Sequence, residues 1–478
     1  MNIDLPQDFV CSMRQLLGAG EYERFAEGMQ REPMVSVRLN PLLGALPAEE
    51  PLGEPVPWCE SGYYLNQRPL FTLDPLFHAG AYYVQEASSM FLEQVMRRYL
   101  TGEAVAMLDL CAAPGGKSTH ARALLPEGSL LVSNEVMKAR AQVLAENLTK
   151  WGHPDVVVTR SDPADFAALE GAFDVLLTDV PCSGEGMFRK DEGAVNDWSV
   201  ENVELCRQRQ QRILADVWPA LKSGGLLIYS TCTYNILEDE ANVEWICREL
   251  GAEVLPVESD PSWGITGNLL PGACFPVARF LPHRTKGEGL FMAALRKKGD
   301  AVGGEESSSV RKGRERRGKR GNSAQASTDK ALARLLYRQQ EEQLHGWLND
   351  AGDDYLLLPQ GERVLAFPQH WLPLLQELKN HLYLLQAGVA LAEVKGRDLN
   401  PCHALAMSHL LRRGAFPEVE VEREQALSYL RREVLQLPLG TPRGFVLITY
   451  HGVPLGFVKH LGNRANNLYP QEWRIRNL

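Results

Sequence analysis

The sequence predicts an α/β protein: a mostly parallel sheet with an antiparallel edge strand, preceded by an α+β N-terminal region and followed by a C-terminal extension that ends in a small β-rich module. Three observations carry this. From about Val105 to Lys298, apolar runs of strand length alternate with amphipathic helical patterns, the rhythm of strands joined by crossover helices. A stretch from Gly299 to Lys330, rich in Gly, Ser and charge and almost without large apolar side chains, divides this part from the rest and reads as a flexible spacer. The 478 residues are about three times the ~150 of an ordinary domain, so several cores are expected.

Within the central part, strands fall at Val105–Leu110, Leu130–Asn134, Val156–Arg160, Phe173–Thr178 and Leu226–Ser230. Between the second and third, Val143, Leu144, Leu148 and Trp151 share one helical face, and Gly152 stops that helix. A longer helix, about Val200 to Lys222, turns Ile213, Leu214, Val217 and Leu221 inward and ends at Ser223-Gly224-Gly225. Asn235, with Glu238 three positions on, marks the start of a further helix bearing Ala241, Trp245, Ile246 and Leu250. The late run Gly289–Leu295 supplies the antiparallel edge strand. After the spacer come apolar, helix-prone stretches and then two Val/Ile-rich runs, Gly444–Tyr450 and Val453–Lys459. The expected division is 1–75, 76–298, a spacer over 299–330, 331–398 and 399–478.

The net charge is -10, from 50 basic and 60 acidic residues, so any affinity for nucleic acid must come from local patches. The segment Arg311–Arg320 is one, with several cations against Glu315. The chain opens without a basic segment ahead of an apolar stretch, and nowhere is it apolar for the ~20 residues that cross a bilayer. A cytoplasmic protein with no membrane partner is expected; no protein partner is evident, and a monomer is the simplest state. Nine cysteines without a C-x-x-C pair support neither a disulfide framework nor a zinc cage, so reduced thiols and no metal are expected.

Open parallel sheets bind ligands at the carboxyl ends of their strands, near the reversal of strand order. Directly after the first strand comes Asp109-Leu110-Cys111-Ala112-Ala113-Pro114-Gly115-Gly116-Lys117, a turn of small residues into a helix, where backbone can approach a ligand and helical N–H groups point at a carboxylate. Glu135 follows the second strand and Asp162 the third. An acid after strand two can accept both hydroxyls of a ribose, whereas a pyrophosphate would call for a G-x-G-x-x-G turn, which is absent. The pattern suits S-adenosylmethionine. After the fourth and fifth strands stand Asp179-Val180-Pro181-Cys182-Ser183-Gly184 and Ser230-Thr231-Cys232-Thr233, so both thiols sit where the crevice should be. Cys206 and Cys247 lie inside helical patterns and read as packing, while Cys111 is intermediate.

Two thiols beside a methyl donor point to one reaction. Carbon 5 of cytosine is too weak a nucleophile to take a methyl group until a thiolate adds at carbon 6. The thiol must later leave, and a second thiol can assist that release. Asp179 can hold the base at N3 or N4, and Lys117 can lower a thiol pKa or meet a phosphate. Spacing does not rank the two thiols, because DNA cytosine methyltransferases carry their attacking thiol in a Pro-Cys motif after strand four.

The motifs at 109–117, 179–184 and 230–233 match, in order and spacing, the Sun/Nol/Nop family of RNA cytosine-C5 methyltransferases, which the chain resembles. Arg38-Leu39-Asn40-Pro41 and Val84–Met90 are similar to the family as well. The tail, Gly456–Arg464 with Tyr469-Pro470 and Arg474-Ile475, resembles the C-terminal PUA-like module of small-subunit ribosomal RNA methyltransferases. This resemblance implies a Rossmann-like S-adenosylmethionine-dependent sheet, Cys232 as the nucleophile and Cys182 as the group assisting product release. It implies that Cys111, Ala112, Ala113, Pro114, Gly115, Gly116, Lys117, Glu135, Asp162 and Asp179 line the cofactor site. Val180 departs from the alanine common in the family and is expected to crowd the pocket slightly. The implied partner is small-subunit ribosomal RNA, with Arg189 and Lys190 on phosphates and Lys459, Arg464, Arg474 and Arg476 interleaved with Tyr469 and Trp473 as a docking surface. The same catalytic residues would serve a transfer RNA substrate. A non-catalytic RNA-binding assembly factor retaining the fold is the reading from another class.

Overall fold

The computed structural model describes residues 3–44, 52–299 and 336–476. Apart from Gly299 the expected spacer, with its basic run, lies outside these residues. A nine-stranded sheet carries the candidate site. Its strands are β1 (Ala106–Asp109), β2 (Leu130–Asn134), β3 (Val156–Thr159), β4 (Phe173–Asp179), β5 (Leu221–Thr231), β6 (Ala252–Leu255), β7 (Ala278–Phe280), β8 (Leu290–Lys297) and β9 (Leu384–Ala387). The order is β7-β8-β5-β4-β1-β2-β3-β9, with β6 also on β8. β1 to β5 are mutually parallel and nearly all buried, as expected of apolar strands covered on both faces. The chain leaves β1 toward β2 and β3, then returns to the other side of β1 for β4 and β5. The reversal thus lies between β1 and β4, and their carboxyl ends, Asp109 and Asp179, flank the crevice.

Several elements differ from expectation for visible reasons. β8 is antiparallel but does not form an edge: its run Leu290–Leu295 is wholly buried, and β6 and β7 cover its outer side. In α2 (Lys138–Trp151), which follows α1 (Gly116–Leu124), the buried stripe is Leu144, Leu148 and Trp151, and Val143 is 46% exposed because one 100° step takes it off that stripe. α3 (Val200–Val217) is capped by Ser199, whose hydroxyl accepts the Asn202 N–H (3.1 Å), and ends early, at the turn containing Pro219. Ser223-Gly224-Gly225 belongs instead to β5. α4 (Glu240–Glu249) begins after the expected cap, leaving Asn235 and Glu238 in the preceding loop.

The N-terminal region is α+β. Helices Gln7–Leu17 and Ala19–Met29 precede a three-stranded antiparallel sheet of 62–65, 35–39 and 82–84. Phe9 packs on Phe188 with ring centres 5.1 Å apart, and Phe25 on Tyr234 at 5.3 Å, so these helices buttress the loops after β4 and β5.

The stretch expected to be helix-prone holds a four-stranded antiparallel sheet of 355–360, 363–368, 389–395 and 398–401, together with helices Arg338–Trp347 and Leu372–His381. Its apolar runs are strands because β-branched and bulky residues alternate with turn glycines at 361, 388 and 396, all at positive φ. The last four strands, 418–420, 444–450, 453–460 and 465–467, form the terminal β-rich module with helix Arg423–Leu430. Its core is shared with Leu76, Ala79 and Ala81 of the N-terminal region. No helix among the described residues is long and apolar enough to cross a membrane.

Gly152 ties these parts together. It ends α2 at φ +83°, its carbonyl accepts the His409 N–H (3.0 Å), and a Cβ there would lie 2.2 Å from the Met407 carbonyl oxygen. Gly152→Ala combines left-handed strain of about 1–2 kcal/mol with that clash. Chemical denaturation is expected to show a loss of about 2 kcal/mol or more.

Candidate active site

The turn after β1 is held open by its neighbours. Arg140 Nη2 donates to the Ala113 carbonyl (2.8 Å) and Asn147 Nδ2 to the Pro114 carbonyl (2.7 Å), fixing residues 111–115 before α1 begins at Gly116. Asn134, fully buried at the end of β2, donates to the Leu110 and Ser161 carbonyls (3.2 and 3.0 Å) and accepts from the Ser161 N–H (2.9 Å). Three strand ends are thereby fixed to one amide. Glu135 is buried, accepts the Met137 N–H (2.9 Å) and lies 3.3 Å from Arg140, beside the exposed apolar side chains of Val136 and Met137. Asp162 is exposed and caps the short turn 163–168 by accepting the Ala164 N–H (3.1 Å). Cys111 is half-buried at the surface of the turn, and its thiol is pushed up by burial and by the Asp109 and Asp179 carboxylates.

Asp109 was not among the expected site residues. It is fully buried at the end of β1; Ser118 Oγ donates to its Oδ2 (2.6 Å), and its Oδ1 has no partner among the described residues. Burial, with Asp179 and Glu135 adding repulsion, pushes its pKa up to about 7. Three carboxyl groups, Asp109, Glu135 and Asp179, thus meet at the crevice, with Lys117 and Arg140 as the opposing cations. Lys117 Nζ donates to Asp179 Oδ2 (2.8 Å), Ser230 Oγ donates to Asp179 Oδ1 (2.9 Å), and the ion pair holds Lys117 charged despite burial.

The two strand-end thiols come together. Cys182 Sγ lies 3.1 Å from Cys232 Sγ, and the Gly186 N–H donates to the Cys232 carbonyl (2.8 Å). A Cβ at Gly186 would sit 2.8 Å from that oxygen, so only glycine permits the approach. Each cysteine loop sends a carboxylate into the other. Glu185, from the Cys182 loop, accepts the Tyr234 N–H (2.7 Å) and Asn235 Nδ2 (3.0 Å), and also Trp198 Nε1 (3.0 Å). Glu238, from the Cys232 loop, accepts the Ser183 N–H (3.0 Å) and Gln210 Nε2 (2.7 Å). Behind them Asp239 accepts the Thr231 and Thr233 hydroxyls (2.5 and 3.0 Å) and pairs with the buried Arg279 (3.0 Å). Burial pushes Glu185 up to about 7. The Cys182 thiol is raised by its hydrogen bond to Cys232 and by burial, which keeps the proton on Cys182.

Some expectations need correcting. Arg189 is not available to phosphate: it is buried, with Nε on Glu288 (2.8 Å) and Nη2 on the Gly287 carbonyl (2.6 Å). Lys190 is one-third exposed and 3.7 Å from the same carboxylate. Tyr469 is 1% exposed and packs edge-on to His403, so its ring is core; Trp473 packs edge-on to His403 too but is half-buried at the margin of that core, and Lys459, Arg464, Arg474 and Arg476 are exposed around it. Val180 does not crowd the crevice; it belongs to the buried cluster of Leu110, Ile213 and Leu214. Cys206 is buried and Cys247 half-buried on their helices. Cys59, Glu93 and His120 meet in a buried group away from the crevice, with His120 Nε2 3.3 Å from Glu93 and 3.8 Å from Cys59. Arg279 carries one sequence signal, a lone charge in the otherwise apolar run 275–281, and Glu185 stands among small residues, whereas Asp239, between Glu238 and Glu240, reads as part of an acidic surface cluster.

Residues 100–296 match the family described as 16S rRNA methyltransferase RsmB/F, residues 5–87 the N-terminal domain of 16S rRNA methyltransferase RsmF, and residues 416–475 the methyltransferase RsmF PUA domain. The ribosomal RNA small subunit methyltransferase F of Klebsiella pneumoniae (strain 342) is 30% identical over 98% of this chain and 96% of its own. That of Aeromonas hydrophila subsp. hydrophila is 31% identical, covering 98% of each. Among solved structures, NSun6 from Pyrococcus horikoshii with SFG shares the fold at a TM-score of 0.51 and 20% identity, over 62% of this chain and 99% of that one. A methyltransferase homologue from the same organism gives 0.50 and 24%, over 61% and 100%. With full-length relatives at this identity, a Rossmann-like methyltransferase sheet and a C-terminal PUA domain, the chain belongs to the 16S rRNA methyltransferase RsmB/F family.

Proposed function

We propose that this protein transfers a methyl group from S-adenosylmethionine to carbon 5 of a cytidine in small-subunit ribosomal RNA, with Cys232 bonding covalently to carbon 6. The observation that carries the proposal is the 3.1 Å approach of two thiols at the crevice, beside Asp179 and Lys117. The names of the relatives support a ribosomal RNA substrate, and the SFG in the Pyrococcus neighbour, an analogue of S-adenosylmethionine, supports the cofactor. Within this reading 76–298 does the chemistry, while 1–75 and 399–478 hold the RNA.

The residues present fit the cofactor. A crevice with three carboxyl groups and an orphaned Asp109 oxygen suits a ligand carrying an ammonium and a sulfonium. Glu135 would take the ribose hydroxyls, Asp162 and the exposed Val136 the adenine, and the 111–117 turn the amino-acid end. When bound, the cofactor supplies an electrophilic methyl carbon.

The protein's own groups do the rest. Cys182, whose thiol is raised by burial and by its contact with Cys232, keeps its proton 3.1 Å from Cys232 Sγ, and Lys117 supplies positive charge nearby. The Cys232 thiolate adds to carbon 6 of the base. Asp179, oriented by Lys117 and Ser230, holds the base edge and stabilises charge that develops on addition. After carbon 5 has been methylated, a water molecule takes its proton, the electron pair of that C–H bond restores the C5–C6 double bond, and the sulfur–carbon bond breaks to release Cys232 as a thiolate that the Cys182 S–H stabilises by hydrogen bonding.

Cys232→Ala is expected to abolish both turnover and any covalent RNA adduct, whereas Cys182→Ala should accumulate an adduct that survives denaturation. Gels of radiolabelled 16S RNA with each variant read this out, and the reverse pattern would exchange the two roles. Glu135→Ala should raise the dissociation constant for S-adenosylmethionine at least about 10-fold by calorimetry, the loss of one or more charge-assisted hydrogen bonds. Glu238→Ala should slow methyl transfer about 10- to 100-fold while cofactor affinity stays within a factor of two or so, because it loosens Ser183 and the Cys182 loop without touching the cofactor turn.

A further inference from the structure

Away from the crevice, a cleft of about 640 Å³ opens between the helix Arg338–Trp347, the turn at Lys395–Asp398 and the terminal sheet. Its shape is fixed by Gln340, whose amide donates to the Gly396 carbonyl (3.3 Å) and accepts the Tyr337 N–H (3.1 Å), above the buried Leu399. Tyr337 stands at its rim, 54% exposed. Phe445 and Lys459 come from the terminal sheet, with Lys459 Nζ 5.1 Å from the centre of the Phe445 ring. Nearby Arg363 and Lys395 both pair with Glu393, but Arg397 and Lys459 make no ion pair among the described residues. In a chain of net charge -10, the cleft presents these two cations against one carboxylate, Asp398.

We propose that this cleft binds a single-stranded segment of the RNA substrate. Arg397 and Lys459 meet phosphates, an unstacked base lies against Tyr337, and Gln343 and Asn400 reach its polar edge. Exposed aromatic surface, unpaired cations and side-chain amides in one rigid concavity are the parts that single strands need. An acidic peptide would use the cations but neither the ring nor the amides. The inference rests on the methyltransferase reading and deepens it, adding an RNA contact built jointly by the middle sheet and the terminal module.

The test uses the full-length protein and an end-labelled, unstructured oligoribonucleotide of about 12 nucleotides, followed by fluorescence anisotropy across a salt series. The Arg397→Ala/Lys459→Ala variant is expected to bind about 10-fold more weakly, with a log–log salt slope shallower by about 1.4, or 0.7 for each lost phosphate contact. Tyr337→Ala should weaken binding several-fold at unchanged slope. Arg363→Ala, on the same sheet, should leave both quantities unchanged, and thermal melting confirms that each variant is folded. Wild-type affinity and slope in a folded double variant would overturn the inference, as would displacement of the RNA by polyglutamate as readily as by unlabelled RNA. If the Cys182→Ala adduct with 16S RNA still forms in that case, only the cleft fails; if the wild-type protein binds no RNA and forms no adduct, the functional reading fails with it.

Discussion

The structure turns on a reciprocal clasp between two loops. Glu185 leaves the loop after β4 to accept N–H groups of the loop after β5, and Glu238 leaves the second loop to accept the Ser183 N–H of the first. Buried carboxylates that accept several donors are expensive to disturb, because removing one leaves its partners unpaired in a dry interior at about 1–3 kcal/mol apiece. The cost guarantees geometry. Two strand ends that are merely neighbours in the sheet become two sulfurs 3.1 Å apart, with no side chain tolerated at Gly186 between the loops.

Everything around the clasp reinforces it. Arg279 neutralises Asp239 and Glu240 behind the Cys232 loop, where each carboxylate would otherwise be stranded. The aromatic cluster of Phe9, Phe25, Phe188, Trp198 and Tyr234 presses the N-terminal helices on the outer face of both loops. The N-terminal region is therefore part of the site's scaffold. At the other edge, β9 pairs with β3 and brings the C-terminal half onto the sheet beside Asp162, with the Tyr383 N–H donating to Ser161 Oγ (3.0 Å). The chain closes around its crevice from both ends.

Much of this was legible in residue order. The apolar run Leu130–Asn134 coincides with β2 to the residue, and the runs for β1, β3, β4 and β5 overlap those strands with shifted ends, because buried parallel strands are continuous apolar runs. The cysteine loops and acids were placed by the rule that ligands meet strand ends. What was not legible depended on long-range partners. Arg189 reads as a solvated cation until Glu288, 99 positions later, is folded against it. Tyr469 reads as a stacking residue until His403 and the terminal core enclose it, and Trp473 until one edge of its ring is taken up by His403. Glu238 was read as a helix cap because Asn235 precedes it at the right spacing, and the two do hydrogen-bond (2.8 Å), but the carboxylate's larger task is the Ser183 loop. β9 carries no strand signal of its own, because Leu384, Leu385, Gln386 and Ala387 acquire strand character only from the edge of β3.

The central claim is that Cys232 is the sulfur that bonds to the base, with Cys182 held beside it as a proton-bearing neighbour. The most direct measurement is to incubate the unaltered protein and S-adenosylmethionine with 16S RNA carrying 5-fluorocytidine, from which the carbon-5 substituent cannot leave as a proton. The trapped complex is then digested and the modified peptide located by mass spectrometry. A nucleotide adduct on the peptide containing Cys232 is the expected result; an adduct on Cys182, or none at either thiol, would contradict the account.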